Sequence, residues 1–240
     1  MARHLKSIWN QNLAEELEFW RRWLTEEEFK KYRIPRLHNQ SFNIPADLIT
    51  VPKGATINIL DVGSGPLGKI GTIHPDYTIN ICLADPLADE YNKLLVDLGM
   101  PDRACIIRAS GEALLDVFLE NSFDIVYSAN ALDHAYDPLL CIKNMLKVCK
   151  PGGWILIISL ESEGERRHYA GLHQWNFTLV NDKVKLWNRD ESIFIHEQLD
   201  RAKQFIAYSI NDDNLPTLVL KIQKELLASS PDRAKHSRDT

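Results

Sequence analysis

Ile57-Asn58-Ile59-Leu60-Asp61-Val62-Gly63-Ser64-Gly65-Pro66-Leu67-Gly68 decides how this chain is read. An apolar, β-branched run bounded by Gly and Pro has the character of a buried strand. It ends in an acid, and glycines follow at once. Glycine admits positive φ and lets a ligand approach the backbone with no Cβ in the way. In open α/β sheets ligands bind beyond the carboxyl ends of strands, which is where this turn stands.

Outward from that stretch the pattern alternates. Strand-like runs follow at 78–84, 104–108, 123–128 and 154–160, with helical segments between them, clearest at 86–98, 112–120 and 138–149. Such alternation predicts an α/β fold with a mostly parallel sheet and helices on both faces. Lys150-Pro151-Gly152-Gly153 stops a helix and turns into the next strand. Residues 161–176 are polar and aromatic without a clean period. Residues 177–187 alternate around Asn181-Asp182, the signature of a hairpin. A short helix is expected at 191–200 and two final strands at 204–209 and 217–222. No internal repeat is present.

Upstream, Trp9, Leu13, Leu17, Trp20 and Leu24 recur at helical spacing and make one apolar stripe. Thr25-Glu26-Glu27-Glu28 has the form of a capping box opening a second short helix, which Pro35 ends or just follows. The expected organisation is an N-terminal helical cap at 1–50, packing on the sheet or lidding the site. A main domain follows at 51–227, with an insertion around 161–190, and then a disordered polar tail at 228–240. The cap aromatics are expected chiefly as core.

The net charge of −5 offers no basic field for a nucleic-acid backbone, so no nucleic-acid partner is expected. No apolar run reaches the ~20 residues of a membrane span, and the N-terminus lacks a signal-like apolar segment. Cys82, Cys105, Cys141 and Cys149 lack metal-ligand spacing and are expected as reduced, buried thiols of a cytoplasmic protein. Oligomeric state is not legible.

Gly63, Gly65 and Gly68 satisfy G-x-G-x-x-G, with Asp85 after the next strand, so a nicotinamide dinucleotide has to be weighed. Against it, Asp61 precedes the first glycine, and a carboxylate there suits an amino group better than a pyrophosphate. Pro66 stands where a dinucleotide-binding helix offers N–H groups to phosphate. S-adenosylmethionine fits better. Asp61 suits its ammonium, the turn at Gly63, Ser64 and Gly65 lies against its methionyl and ribose parts, and Asp85 suits both ribose hydroxyls. Pro86 and Leu87 cover one face of the adenine. Asp85 is also placed to cap the helix that follows.

Residues 57–160 resemble the class I, Rossmann-like S-adenosylmethionine-dependent methyltransferases, close to the type 11 group. The resemblance rests on Leu60–Pro66, Ala84-Asp85-Pro86, Ser110-Gly111-Glu112-Ala113-Leu114 and Phe123–Val126. Asn130-Ala131-Leu132-Asp133-His134, Asp137-Pro138 and Lys150–Gly153 complete it, all in the family's order. It implies a seven-stranded sheet whose last strand is antiparallel. It also implies cofactor contacts at Asn130 and an adenine contact at Ser110, Gly111 and Glu112. That contact is expected through the backbone, because Ser110 stands where many members carry Asp. Glu163-Gly164-Glu165, Tyr169 and Gly171–Phe177 are similar to stretches in sugar and glycan methyltransferases. This implies O-methylation of a small polar acceptor.

Methyl transfer to oxygen needs a base at the cofactor's methyl, on the loops after the fourth and fifth strands. His134, oriented by Asp133, Asp137 or a backbone group, is one candidate, and His173 is its rival. Asp137, Glu163, Tyr169, His173 and Trp175 are candidate substrate contacts, with Trp175 equally suited to core packing. A divalent cation held by Asp133, Asp137 and Glu163 is a third possibility, but these acids show no metal-ligand spacing and no metal ligand is assigned. Two other readings compete with methyl transfer: an NAD-dependent oxidoreductase and a non-catalytic cofactor-binding or interaction module.

Overall fold

The computed structural model describes residues 2–38, 40–103, 105–212 and 214–226. The expected tail at 228–240 lies outside them. The chain opens with helix α1 (Ala2–Thr25) and α2 (Lys30–His38), then enters the sheet at β1 (Thr56–Val62). β2 (Thr78–Asp85), α3 (Ala88–Asp97), β3 (Ile107–Arg108), β4 (Phe123–Ala129), α4 (Pro138–Val148) and β5 (Cys149–Leu160) follow. After the four-residue helix α5 (Glu163–Arg166) come β6 (Asn176–Val180), β7 (Lys183–Trp187) and β8 (Ser192–Phe194). β9 (Ala202–Asp212) and β10 (Leu215–Lys224) end the fold.

Seven strands form one sheet in the order β3-β2-β1-β4-β5-β10-β9, and β10 pairs antiparallel with both neighbours. The expected seven-stranded, mostly parallel α/β sheet with an antiparallel last strand is the observed one. β1 buries both faces, as a central parallel strand must. Leu60 and Val62 pack with Ile142 and Met145 of α4, while Ile57 and Ile59 face Ile44 and Leu48. Each such fully buried aliphatic side chain contributes roughly 1.5–3 kcal/mol. α3 packs through Tyr91, Leu94 and Leu95 on Leu83 of β2 and on Trp23 and Leu24 of α1, on the side opposite α4.

The β1–β2 connection departs from the alternation, since residues 63–77 contain no helix. Pro66, Gly68 and Gly71 break one, and at Gly71 a Cβ would stand 2.0 Å from the Ser41 carbonyl oxygen. The backbone at 40–43 runs against this loop instead, bonding through Phe42 N–H to Ile73 O and Ile73 N–H to Gln40 O.

Other expectations shift in detail. Thr25 donates back to Arg21 O rather than capping α2, so the capping box does not form. Pro35 lies inside α2; Arg33, donating to Trp23 O and Glu26 O, and Leu37, packed on the α3 cluster, hold the helix despite its missing donor. The strand expected at 104–108 shortens to Ile107–Arg108. The helix expected at 112–120 is a 3-10 turn over Gly111–Asp116. Lys150–Gly153 forms a bulge within β5, opposite Phe123–Ile125. The hairpin turn is at Asn181-Asp182, both in the left-handed region that its twist requires. Residues 191–200 give β8 and a 3-10 turn, because β7 is still open to a third strand there. Cys141 and Cys149 are buried and Cys82 is half-buried, but Cys105 is exposed on the turn before the edge strand β3. No described helix is long and apolar enough to cross a membrane.

Candidate active site

The carboxyl ends of β1, β2, β4 and β5 meet at one edge of the sheet, and a cavity of about 430 Å³ opens there, within the ~300–1,000 Å³ usual for ligand sites. Asp61, Gly63, Ser64, Gly65, Asp85, Pro86, Ser110, Gly111, Glu112 and Asn130, the ten residues expected at the cofactor, all line it.

The glycine turn is tied to β2. Gly63 and Ser64 donate their amides to Ala84 O, and Gly65 donates to Asp85 Oδ2 at 3.0 Å. The other Asp85 oxygen accepts the Leu87 amide at 2.9 Å, two residues on, so the carboxylate braces its own turn and does not cap α3. Each oxygen keeps a lone pair for a ligand. Burial pushes the Asp85 carboxyl up to about 7, against the two amide bonds that stabilise its charge.

Glu112 is spent on structure as well. One oxygen accepts the amides of Tyr136 and Asp137, fixing the loop after β4, and burial raises its carboxyl above the ordinary range. Asn144 of α4 donates to Gly111 O and Glu112 O and holds this segment from behind. Asn130 adopts φ +51, and its side-chain oxygen accepts the Leu160 amide, joining the ends of β4 and β5.

At the other end of the cavity Asp133, His134 and His173 come together. Asp133 Oδ2 lies 2.7 Å from His173 Nδ1 and 3.6 Å from His134 Nε2, and the two imidazoles are 3.1 Å apart between His134 Nε2 and His173 Nδ1. The acid therefore pairs more closely with His173 than with the adjacent His134. Gln174 donates its amide to Asp133 O, which ties the loop after β5 to the turn after β4. Burial opposes the charge on Asp133, but the neighbouring His134 imidazole and the His173 hydrogen bond outweigh it and hold the carboxyl below its usual range.

Glu163 lines the same cavity. Its Oε1 accepts from Arg167 Nε at 2.7 Å, while its buried Oε2 has no hydrogen-bond partner among the described residues. Asp137, Tyr169 and Trp175 are not brought to the cavity. Asp137 caps α4 through Leu140 N–H at 2.9 Å. The Tyr169 hydroxyl accepts from Asn176, and its ring lies under the Arg189 guanidinium. Trp175 is buried in the main core. A polar-aromatic run looks the same whether it faces a ligand or supports the loop that does.

Glu16 is the main residue the sequence did not reveal. α1 lies along the cavity with Trp9, Leu13, Glu16, Phe19 and Trp20. Trp20 Nε1 donates to Glu16 Oε1 at 2.8 Å, and Glu16 Oε2 stands 3.8 Å from His134 Nδ1. Trp20 also presses on the glycine turn: a Cβ at Gly65, whose φ is +59, would lie 2.8 Å from its ring.

Residues 60–157 match the methyltransferase domain family, type 11. The 2-methyl-6-phytyl-1,4-hydroquinone methyltransferase of Synechocystis sp. is 28% identical over 141 residues, 59% of this chain and 42% of that protein. An uncharacterised methyltransferase of Mycobacterium tuberculosis is 36% identical over 107 residues, 44% of this chain and 39% of that protein. The chain thus spans about two fifths of the length of these relatives. The crystal structure of the CurJ carbon methyltransferase shares the fold, with a TM-score of 0.50 and 14% identity over 73% of this chain and 50% of that one. The strand order and the glycine turn braced by Asp85 agree with that match: residues 60–157 are similar to the type 11 methyltransferase domain and are built on a Rossmann-like sheet.

Proposed function

We propose that this chain methylates an oxygen of a small polar acceptor, such as a sugar or glycan hydroxyl. The observation that carries the reading is the cluster of Asp133, His173 and His134 in the wall of the cavity that also holds the glycine turn. S-adenosylmethionine supplies a methyl group already activated on a sulfonium. The residues suited to hold it are Asp61, the turn at Gly63–Gly65, Asp85 and the segment Ser110–Glu112. Asp85 passes a test of fit, because it is a buried carboxylate with a free lone pair on each oxygen at the cavity wall.

The remaining work falls to this chain's own groups. Trp9, Leu13, Phe19 and Trp20 of α1 exclude water from one side of the cavity. Glu163 Oε2 offers a buried acceptor to a hydroxyl donor on the substrate. An imidazole of the pair takes the proton as the acceptor oxygen gains the methyl, and Asp133 balances the resulting charge. His173 is the better-oriented base, held by Asp133 at 2.7 Å.

Calorimetry with S-adenosylmethionine and S-adenosylhomocysteine tests the cofactor assignment, and absence of binding at millimolar cofactor removes it. Release of S-adenosylhomocysteine across a panel of monosaccharides and short glycans tests the acceptor. A second reading, methylation at carbon, is favoured by the apolar wall of Trp9, Leu13, Phe19 and Leu172. NMR of the isotopically labelled product separates an O-methyl from a C-methyl.

A further inference from the structure

We propose that Asp133, His134 and His173 form a binding site for a divalent first-row transition ion of the zinc type. The inference deepens the function proposed above and rests on it for the acceptor; the metal site itself stands on geometry. Three side-chain atoms converge, Asp133 Oδ2, His134 Nε2 and His173 Nδ1, with separations of 2.7, 3.1 and 3.6 Å. Edges of that length belong to one face of a small coordination polyhedron. A point roughly 1 Å off the plane of the triangle lies about 2.1 Å from all three atoms, the usual Zn–N and Zn–O distance.

Protons satisfy this triangle poorly. Nδ1 of His173 carries at most one proton, yet both Asp133 Oδ2 and His134 Nε2 stand within reach of it. If that proton points to Asp133, the His134 nitrogen approaches the same N–H from the side. If His134 donates to Nδ1 instead, the Asp133 carboxylate faces a bare nitrogen lone pair at 2.7 Å. A cation accepts all three lone pairs at once.

A carboxylate stands near the outer nitrogen of one imidazole. The second ring nitrogen of His134 stands 3.8 Å from Glu16 Oε2, and Glu16 is itself anchored by Trp20 Nε1. Metal-bound imidazoles usually meet a carboxylate at their other nitrogen. The Gln174-to-Asp133 backbone bond holds the two ligand-bearing loops together. Two imidazoles and one carboxylate select a zinc-type ion over magnesium or calcium, which prefer all-oxygen sites. Three protein ligands leave a position for an oxygen in the cavity. A hydroxyl of the acceptor bound there is acidified and loses its proton to solvent water before its oxygen takes the methyl. Cation and proton compete for the same lone pairs, so in the loaded chain the metal takes over the acidifying role of the imidazole base.

The full chain, stripped with a chelator, is titrated with Co²⁺ near neutral pH. One saturable site per chain with a visible d–d absorption, displaced by Zn²⁺, is expected. Asp133→Asn and His173→Ala are expected to weaken Co²⁺ binding by roughly 100-fold or more, and Glu16→Gln by about tenfold. The exposed His168→Gln leaves it unchanged. Circular dichroism and S-adenosylhomocysteine affinity establish that each variant is folded, and the conservative His173→Gln serves if His173→Ala is not. Absence of saturable Co²⁺ and Zn²⁺ binding, or binding indifferent to folded Asp133 and His173 variants, overturns the site. Because the readout is the metal, that failure leaves the methyl-transfer reading intact. A chain that binds Co²⁺ but never methylates a hydroxyl faults the O-methylation reading instead.

Discussion

Asp85 Oδ2 accepts the Gly65 amide at 3.0 Å, so the acid at the end of β2 and the glycine turn after β1 are one unit. Burial lifts this carboxyl from 3.8 to about 7. Between those values the folded chain holds a proton that the unfolded chain has released. Stability therefore falls, through this group, as pH rises from about 4 to about 7. A carboxylate is needed for the proposed acceptance of two ribose hydroxyls, so cofactor affinity is expected to move the opposite way, rising with pH up to about 7 and then levelling. Calorimetry below pH 7 in buffers of different ionisation enthalpy is expected to show proton release on binding. Asp85→Asn is expected to weaken binding and abolish that release; a proton release that survives the substitution contradicts the assignment.

Gly65 and Trp20 are expected to couple. Gly65→Ala adds a Cβ 2.8 Å from the Trp20 ring at a φ of +59, whereas Gly54→Ala at φ +84 meets nothing within 4 Å. Both carry the left-handed strain of roughly 1–2 kcal/mol, and only Gly65→Ala adds the clash. In a double-mutant cycle, Trp20→Ala is expected to restore part of the cofactor affinity lost in Gly65→Ala, with a coupling of roughly 0.5–3 kcal/mol. Additive losses show that α1 does not press on the turn in solution.

The Asp133–His134–His173 cluster gives a third prediction. Asp133→Asn and His173→Ala are expected to lower kcat by about 100-fold or more while leaving S-adenosylhomocysteine affinity nearly unchanged. His173→Ala is expected to cost more than His134→Ala, since Asp133 is 2.7 Å from His173 and 3.6 Å from His134. Full turnover in both histidine variants removes the base, whether it acts alone or through a bound ion.

These relationships differ in how far the sequence reveals them. The run Ile57–Leu60, its terminal Asp61 and the glycines show β1 and its ligand turn because strand burial and turn chemistry are local. The Asn181-Asp182 turn shows its hairpin for the same reason. Glu16 shows nothing, because a glutamate between Leu13 and Trp20 is an ordinary polar position on a helix until tertiary docking sets it 3.8 Å from His134. The Asp133–His173 pairing is equally hidden, since only the fold-back of residues 161–175 decides which imidazole the acid holds. Trp175 and Tyr169 mislead in the other direction, their aromatic side chains supporting the loop that presents His173.

Lys224 supplies the last prediction, at the far end of the molecule. Its ammonium donates to Asn121 Oδ1, Lys147 O and Cys149 O, tying β10 to the end of α4 and the start of β5. Burial lowers its pKa below the ordinary lysine value, the attraction of nearby acidic groups notwithstanding. Lys224→Met keeps the stem packed but leaves the Cys149 carbonyl without this donor, at a cost of about 1–3 kcal/mol. Urea unfolding is expected to show a lower midpoint with an unchanged slope, while cofactor affinity stays constant because no lining residue of the cavity moves. A lower cofactor affinity at unchanged stability would mean that the β10 anchor reaches the site, which the position of Lys224 on the opposite edge of the sheet argues against.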